Sequence, residues 1–165
     1  MKTPILVAAY LVAIVLANLS VAAWGPSVAI VNAFLFIALD LTSRDALHSA
    51  WRGRSLAWRM AALIATGSLL SYALNRSAGP IALASFVAFA VSAALDTVVY
   101  HLLRERAYLL RVNGSNVVSA AADSLIFPVL AFGLPLLWPI VLGQFVAKVA
   151  GGALWAWVLA RRVAR

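Results

Sequence analysis

The sequence predicts an all-α integral membrane protein, a bundle of six transmembrane helices with both termini on the cytoplasmic side. Three observations predict it. The chain of 165 residues is 65% hydrophobic with a mean hydropathy of +0.99, whereas a soluble domain is nearer half apolar. Six stretches reach the roughly 20 largely apolar residues that a spanning helix needs. Ten of the 13 Lys and Arg residues fall at the termini or in alternate connections, the asymmetry that the positive-inside preference produces.

The first span is Pro4–Trp24. Lys2 gives it a weakly positive start, but the run is too long for a signal-peptide core and more spans follow, so it reads as a retained helix. Gly25-Pro26 is a turn signal, and the second span runs from Ser27 to about Asp45. Arg52, Arg54 and Arg59 precede or open the third, Ser55–Leu74. Asn75 to Pro80 supplies the next turn, and the fourth span is Gly79–Leu103. Arg104, Arg106 and Arg111 lead to the fifth, Gly114–Gly133. The Gly133-Leu134-Pro135 turn joins it to the sixth, Pro135–Leu159, which Arg161, Arg162 and Arg165 follow. With the N-terminus inside, only Arg76 lies on the outer side. Connections this short make neighbouring helices antiparallel and leave one domain, residues 1–165. Trp24, Trp51, Trp58 and Trp138 sit near span ends, where amphipathic rings prefer the interface. That rule leaves Trp155 and Trp157, deeper in the last span, unexplained.

The net charge of +8 suits nucleic acid in principle, but its clustering between apolar runs speaks for topology instead, and no nucleic-acid partner is expected. The chain has no cysteine and only two histidines, His48 and His101, with no metal-ligand spacing. No phosphate loop or catalytic spacing appears. The sequence therefore predicts no enzyme, no metal and no cofactor.

Charges within the spans carry the functional signal. Asp40, Asp45, Asp96 and Asp123, with Arg44 and Lys148, lie in or at the edge of spans. Each costs about 2.5–3.5 kcal/mol near a bilayer centre on insertion scales, so such residues face the bundle interior and find partners. Their spacing groups them on faces. Asn116, Ser119 and Asp123 share one face of span five at i, i+3 and i+7. Gln144 and Lys148 are i, i+4 on span six, continued by Gly151 or Gly152. Ser85, Ser92 and Asp96 share a face of span four. Asn32, Asp40 and Arg44 follow a drifting stripe on span two, and Asn18 is the main polar group of span one. Stripes that converge in one small bundle describe either a polar clasp or a polar cavity with apolar walls, the usual form of a small-molecule site.

Two pairs stand out. Asp40 and Arg44 are i, i+4 with the acid first, the better order for a helical ion pair; they form a cytoplasmic gate or an ordinary interfacial pair. Asp123 lies ten residues before Gly133 and Lys148 thirteen after Pro135. At 1.5 Å per residue their depths differ by about 5 Å, within a lysine's reach. Gly151-Gly152 suits close helix packing, and Ala9, Ala13 and Ala17 form a small-residue ridge on span one.

The stretches "FLFIALDLTSRDALH", "LDTVVYHLLRER", "RVNGSNVVSAAADSLIF" and "QFVAKVAGGALWA" resemble, in order, the queuosine precursor transporter family, also called the vitamin uptake transporter-like (VUT) family. The resemblance covers about two thirds of the chain. It carries over Asn18, Asp40, Arg44, Asp96, Asp123 and Lys148. It implies uptake of a 7-deazapurine such as 7-cyano-7-deazaguanine (preQ0), for queuosine in tRNA, across a bacterial inner membrane. A guanine-like base suits these residues. One carboxylate accepts its N1–H and exocyclic amine, with Asp123 the first choice and Asp96 the second. Asn116, Gln144 or Lys148 donates to the ring carbonyl, and Lys148 is expected to turn to it as the base arrives. Phe86, Phe89, Phe127 or Phe145 walls the ring. The expected substrate-binding set is Asn18, Asn32, Asp96, Asn116, Ser119, Asp123, Gln144 and Lys148. Three readings remain open at this level: a solitary carrier, which could be a homo-oligomer; the substrate-binding subunit of an energy-coupling-factor importer for a small vitamin-like molecule, with the alanine ridge docking a coupling subunit; and a non-transporting membrane scaffold or assembly protein.

Overall fold

In the computed structural model, residues 3–39, 43, 47, 51, 55–106 and 108–163 are described. Among them all regular structure is helical. Helix α1 spans Thr3–Trp24 and ends at Gly25, whose φ of 69° is open to glycine without strain. A 3₁₀ turn, Gly25–Val28, carries Pro26 in its first turn, where the ring's fixed φ fits. Short helix α2, Ala29–Asn32, leads into a π turn, Ala33–Ile37. Helix α3 is Leu56–Leu74. Asn75 breaks it with an extended backbone and its Oδ1 accepts from Ser77 N and Oγ, capping a 3₁₀ turn at Arg76–Ala78. Helix α4, Gly79–Leu102, starts with Pro80 in its first turn. Helix α5 is Tyr108–Phe132, and α6 is Trp138–Val163.

Among the described residues, three helical stretches are long and apolar enough to cross a membrane: Thr3–Ile37, Arg76–Leu102 and Gly114–Phe132; Trp138–Leu154 is a shorter apolar helix. The first stretch covers both the first expected span and the start of the second, Leu56–Leu74 is helical but not among the stretches that qualify, and the helices differ from the expected bounds in three places. Span two is not a uniform α-helix, because its backbone widens into the π turn. The fifth helix begins at Tyr108 rather than Gly114, so the basic segment around Arg111 is helical. The sixth begins at Trp138 rather than Pro135, since Gly133 to Leu137 form the connection. Asp40, Arg44 and Asp45 lie outside the described residues.

The molecule carries large apolar side chains on its outside. Val12, Leu16, Leu69, Leu83, Val98 and Val146 are all exposed, as suits contact with lipid tails. Its inside holds polar groups together with a core of Tyr10, Ile14, Leu47, Met60, Leu63, Ile64 and Phe89. Helix α4 packs most extensively on α5, and α1 packs on α3. Of the alanine ridge of α1, Ala13 and Ala17 are buried and serve packing within the chain, while Ala9 is half-buried. The widened turn of span two lies against α6. A side chain at Gly151 would come within 2.5 Å of the Phe34 carbonyl, and one at Gly143 within 2.5 Å of Ile30. At Gly151 the two backbones approach too closely for a Cβ, whereas at Gly143 the space is taken by the Ile30 side chain. Gly152 has open space instead.

Candidate functional site

The polar residues of α1, α4, α5, α6 and the α2 segment meet around one cavity. Ser85 and Gln144 each sit six residues from the start of their helix, and Asn18 six from the end of its own. At 1.5 Å per residue these three lie about 9 Å from the helix ends that carry the 25–28, 75–78 and 133–137 connections, and Asp123 and Lys148, nine residues before Phe132 and ten after Trp138, lie about 14–15 Å from them. The arginine-bearing α4–α5 connection is at the opposite end.

Lys148 is the centre of the site. Its side chain is 1% exposed and its Nζ lies 2.6 Å from Asp123 Oδ2. It also donates to Ser124 Oγ at 3.0 Å and to Gln144 Oε1 at 3.1 Å. An ammonium has three N–H donors, so all three are used. The near-equal depths of Asp123 and Lys148 are thus realised as an ion pair between adjacent helices. Each charge neutralises the other, which is what makes either tolerable at this burial. Asp123 Oδ1 and Gln144 Nε2, both at the site, have no hydrogen-bond partner among the described residues. Both residues line the cavity.

Asn18 and Asn32 line it too, but much of their hydrogen bonding is spent on the scaffold. Asn18 Nδ2 donates to Ser71 Oγ at 3.1 Å, and its Oδ1 accepts from Ser85 Oγ at 2.6 Å. These bonds tie α1 to α3 and α4. Asn32 Nδ2 donates to the Ala17 carbonyl and to Ser20 Oγ, which ties the α2 segment to α1. The apolar walls include Val21, Ile37, Phe89 and Phe127. Phe127 is held edge-on by Phe132, with centroids 5.8 Å apart. Phe86 packs on the hydrophobic core instead, and Phe145 is not part of the lining. The open space amounts to about one water molecule, so the walls are closed in on the ion pair.

Asp96, Asn116 and Ser119 do not line this cavity. They share helix faces with residues that do, but at other depths. Asp96 is eleven residues beyond Ser85, about 16 Å along α4, and Asn116 is seven before Asp123, about 10 Å along α5. Asp96 is buried, and its Oδ1 has no partner among the described residues. The expected gate pair, Asp40 and Arg44, lies outside the described residues.

Two participants carried no sequence signal of their own. Ser124 is next to Asp123 but off its i, i+3, i+7 stripe, so periodicity passes over it. Ser71 looks like any helical serine, and its hydroxyl also donates to the Gly67 carbonyl; only the fold brings Asn18 to it.

Set beside known proteins, residues 4–161 match the model of a family described as "Putative vitamin uptake transporter". No curated protein and no solved structure matches the chain.

Proposed function

The chain belongs to the vitamin uptake transporter family, and on that footing we propose that it imports a 7-deazapurine, with 7-cyano-7-deazaguanine (preQ0) as the substrate, for the queuosine of tRNA. The observation that carries this reading is the unpartnered Asp123 Oδ1 in a cavity walled by Phe89 and Phe127. A guanine-like base presents N1–H and an exocyclic amine side by side, and a carboxylate accepts from both with charge-assisted strength. The aromatic walls suit a flat ring.

In this reading the chain is one six-span domain with both termini in the cytoplasm of a bacterial cell, and it carries out no chemistry on its cargo. The arginine asymmetry supports that orientation. It puts the cavity between the outer face and the middle of the membrane, on the side from which an importer meets its substrate. The cavity must then widen from the size of a water to that of a bicyclic base. The seam between the π turn and α6, packed at Gly151 on the Phe34 backbone, is where two backbones lie close enough to part as rigid units. Substrate shifts the bundle towards the open form to the extent that it binds that form better.

The test is uptake in a strain that cannot make preQ0 and lacks coupling subunits, with this chain expressed alone. Queuosine in tRNA after preQ0 is supplied supports the proposal. Its absence, with the protein inserted in the membrane, refutes it.

A further inference from the structure

We propose that Gln144, and not Lys148, reads the carbonyl of the ligand. Its Nε2 and Asp123 Oδ1 then act together as a donor–acceptor pair for an N–H/C=O edge. The inference rests on the transport reading above and deepens it.

The orientation of the Gln144 amide follows from its neighbour. An ammonium donates and cannot accept, so the amide atom facing Lys148 has to be the oxygen. That is the arrangement found, with Oε1 at 3.1 Å from Nζ. The nitrogen is therefore turned away from Lys148, and it is buried with no partner among the described residues. Asp123 is fixed by the same ammonium. Its Oδ2 is held at 2.6 Å, which leaves Oδ1 as the buried, unpartnered acceptor. One cation thus presents one free acceptor and one free donor from two cavity-lining side chains.

Lys148 itself has no donor to spare, because Asp123, Ser124 and Gln144 take all three. Reaching a ligand would mean breaking one of these bonds at a residue only 1% exposed. Gln144 Nε2 gives up nothing, since leaving it unsatisfied is already a cost and a ligand carbonyl removes it. Lys148 is accordingly a positioning residue. The ligand is neutral along this edge, because the Asp123–Lys148 pair already balances its own charge. A cyclic amide, N–H beside C=O in a flat ring, meets both free atoms at once.

Gln144→Glu separates the two roles. Glutamate keeps the acceptor that Lys148 needs but replaces the free N–H donor with an oxygen. If Gln144 matters only by holding Lys148, Glu serves as well and binding survives. If Gln144 reads the carbonyl, ionised Glu sets acceptor against acceptor, and binding of preQ0 to the purified protein, measured at a pH where the glutamate is ionised and below the variant's lowered melting temperature, falls by roughly a hundredfold. Gln144→Met is the second variant, measured with preQ0 and with its 6-thioxo analogue, which keeps the N–H and the amine but carries a poorer acceptor. Wild type should prefer the oxo form by roughly tenfold, and Gln144→Met should lose that preference. Retained binding in Gln144→Glu, or an unchanged oxo preference in Gln144→Met, overturns the inference and leaves the transport reading standing. A wild-type protein that binds neither probe overturns both.

Discussion

Replacing Lys148 with methionine removes the ammonium and its three bonds while keeping an unbranched chain of similar reach. Asp123 is then a buried carboxylate with no counter-charge. Breaking a buried pair from one side costs about 3–5 kcal/mol. Side-chain exposures of 1% and 5% leave little solvent to screen the orphaned charge, so the full range applies. In a chain of this size each kcal/mol moves the melting temperature by about 2–4 °C, so Lys148→Met should melt about 6–20 °C below wild type. The double variant Asp123→Asn/Lys148→Met has no orphaned charge and should recover at least about half of that loss. Thermal unfolding in detergent, followed by fluorescence of the six tryptophans, reads both. A single variant as stable as wild type would show that the pair does not hold this site together. A double variant no more stable than the single would show that the loss comes from packing rather than from charge.

Gly151→Ala puts a methyl group 2.5 Å from the Phe34 carbonyl and 2.6 Å from Ala38 Cβ, which should cost about 1–3 kcal/mol in melting experiments. Gly152→Ala, in open space, should be neutral or stabilising by up to about 1 kcal/mol through helix propensity. The chain has no cysteine, so single cysteines report topology directly. Ser77→Cys should react with an impermeant reagent added outside the cell, and Arg106→Cys should be shielded; strong labelling of Arg106→Cys would reverse the orientation. Arg44→Ala should reach the membrane yet transport poorly if the i, i+4 spacing makes Asp40 its partner, as the sequence leads one to expect; wild-type uptake would reduce the expected pair to an interfacial contact.

The helices were largely legible in the sequence because the apolar run length and the turn residues agree. Gly25-Pro26, Asn75 and Gly133 each end or separate helices where they stand. The π turn at 33–37 was not legible: its apolar residues fit a regular helix equally well, and what distinguishes the turn is contact with Gly151 on a distant segment. The site was legible by direction more than by depth. Helical periodicity told which residues share a face, and it grouped Asn116 and Ser119 with Asp123 and Asp96 with Ser85. The cavity occupies one level of the bundle, so it takes Asp123 and Ser85 and leaves the other three. Depth became readable only for Asp123 and Lys148, because a short connection between their helices lets residues be counted from a common turn. The reverse held for Asn18. Its polarity marked it as a site residue, while its bonds to Ser71 and Ser85, separated widely in sequence, make it a brace between three helices.

The central claim is that Asp123 receives the substrate, and binding of preQ0 to purified Asp123→Asn protein tests it most directly. The asparagine keeps the size of the side chain. Lys148 still requires an acceptor, so the new amide turns its oxygen to Nζ and its nitrogen takes the position of Oδ1. A donor then faces the donors of the base. Binding should fall by roughly a hundredfold or more, since a lost charge-assisted bond is joined by an unsatisfied buried group. Wild-type affinity in this variant would contradict the account and require the site to be rebuilt around another acid.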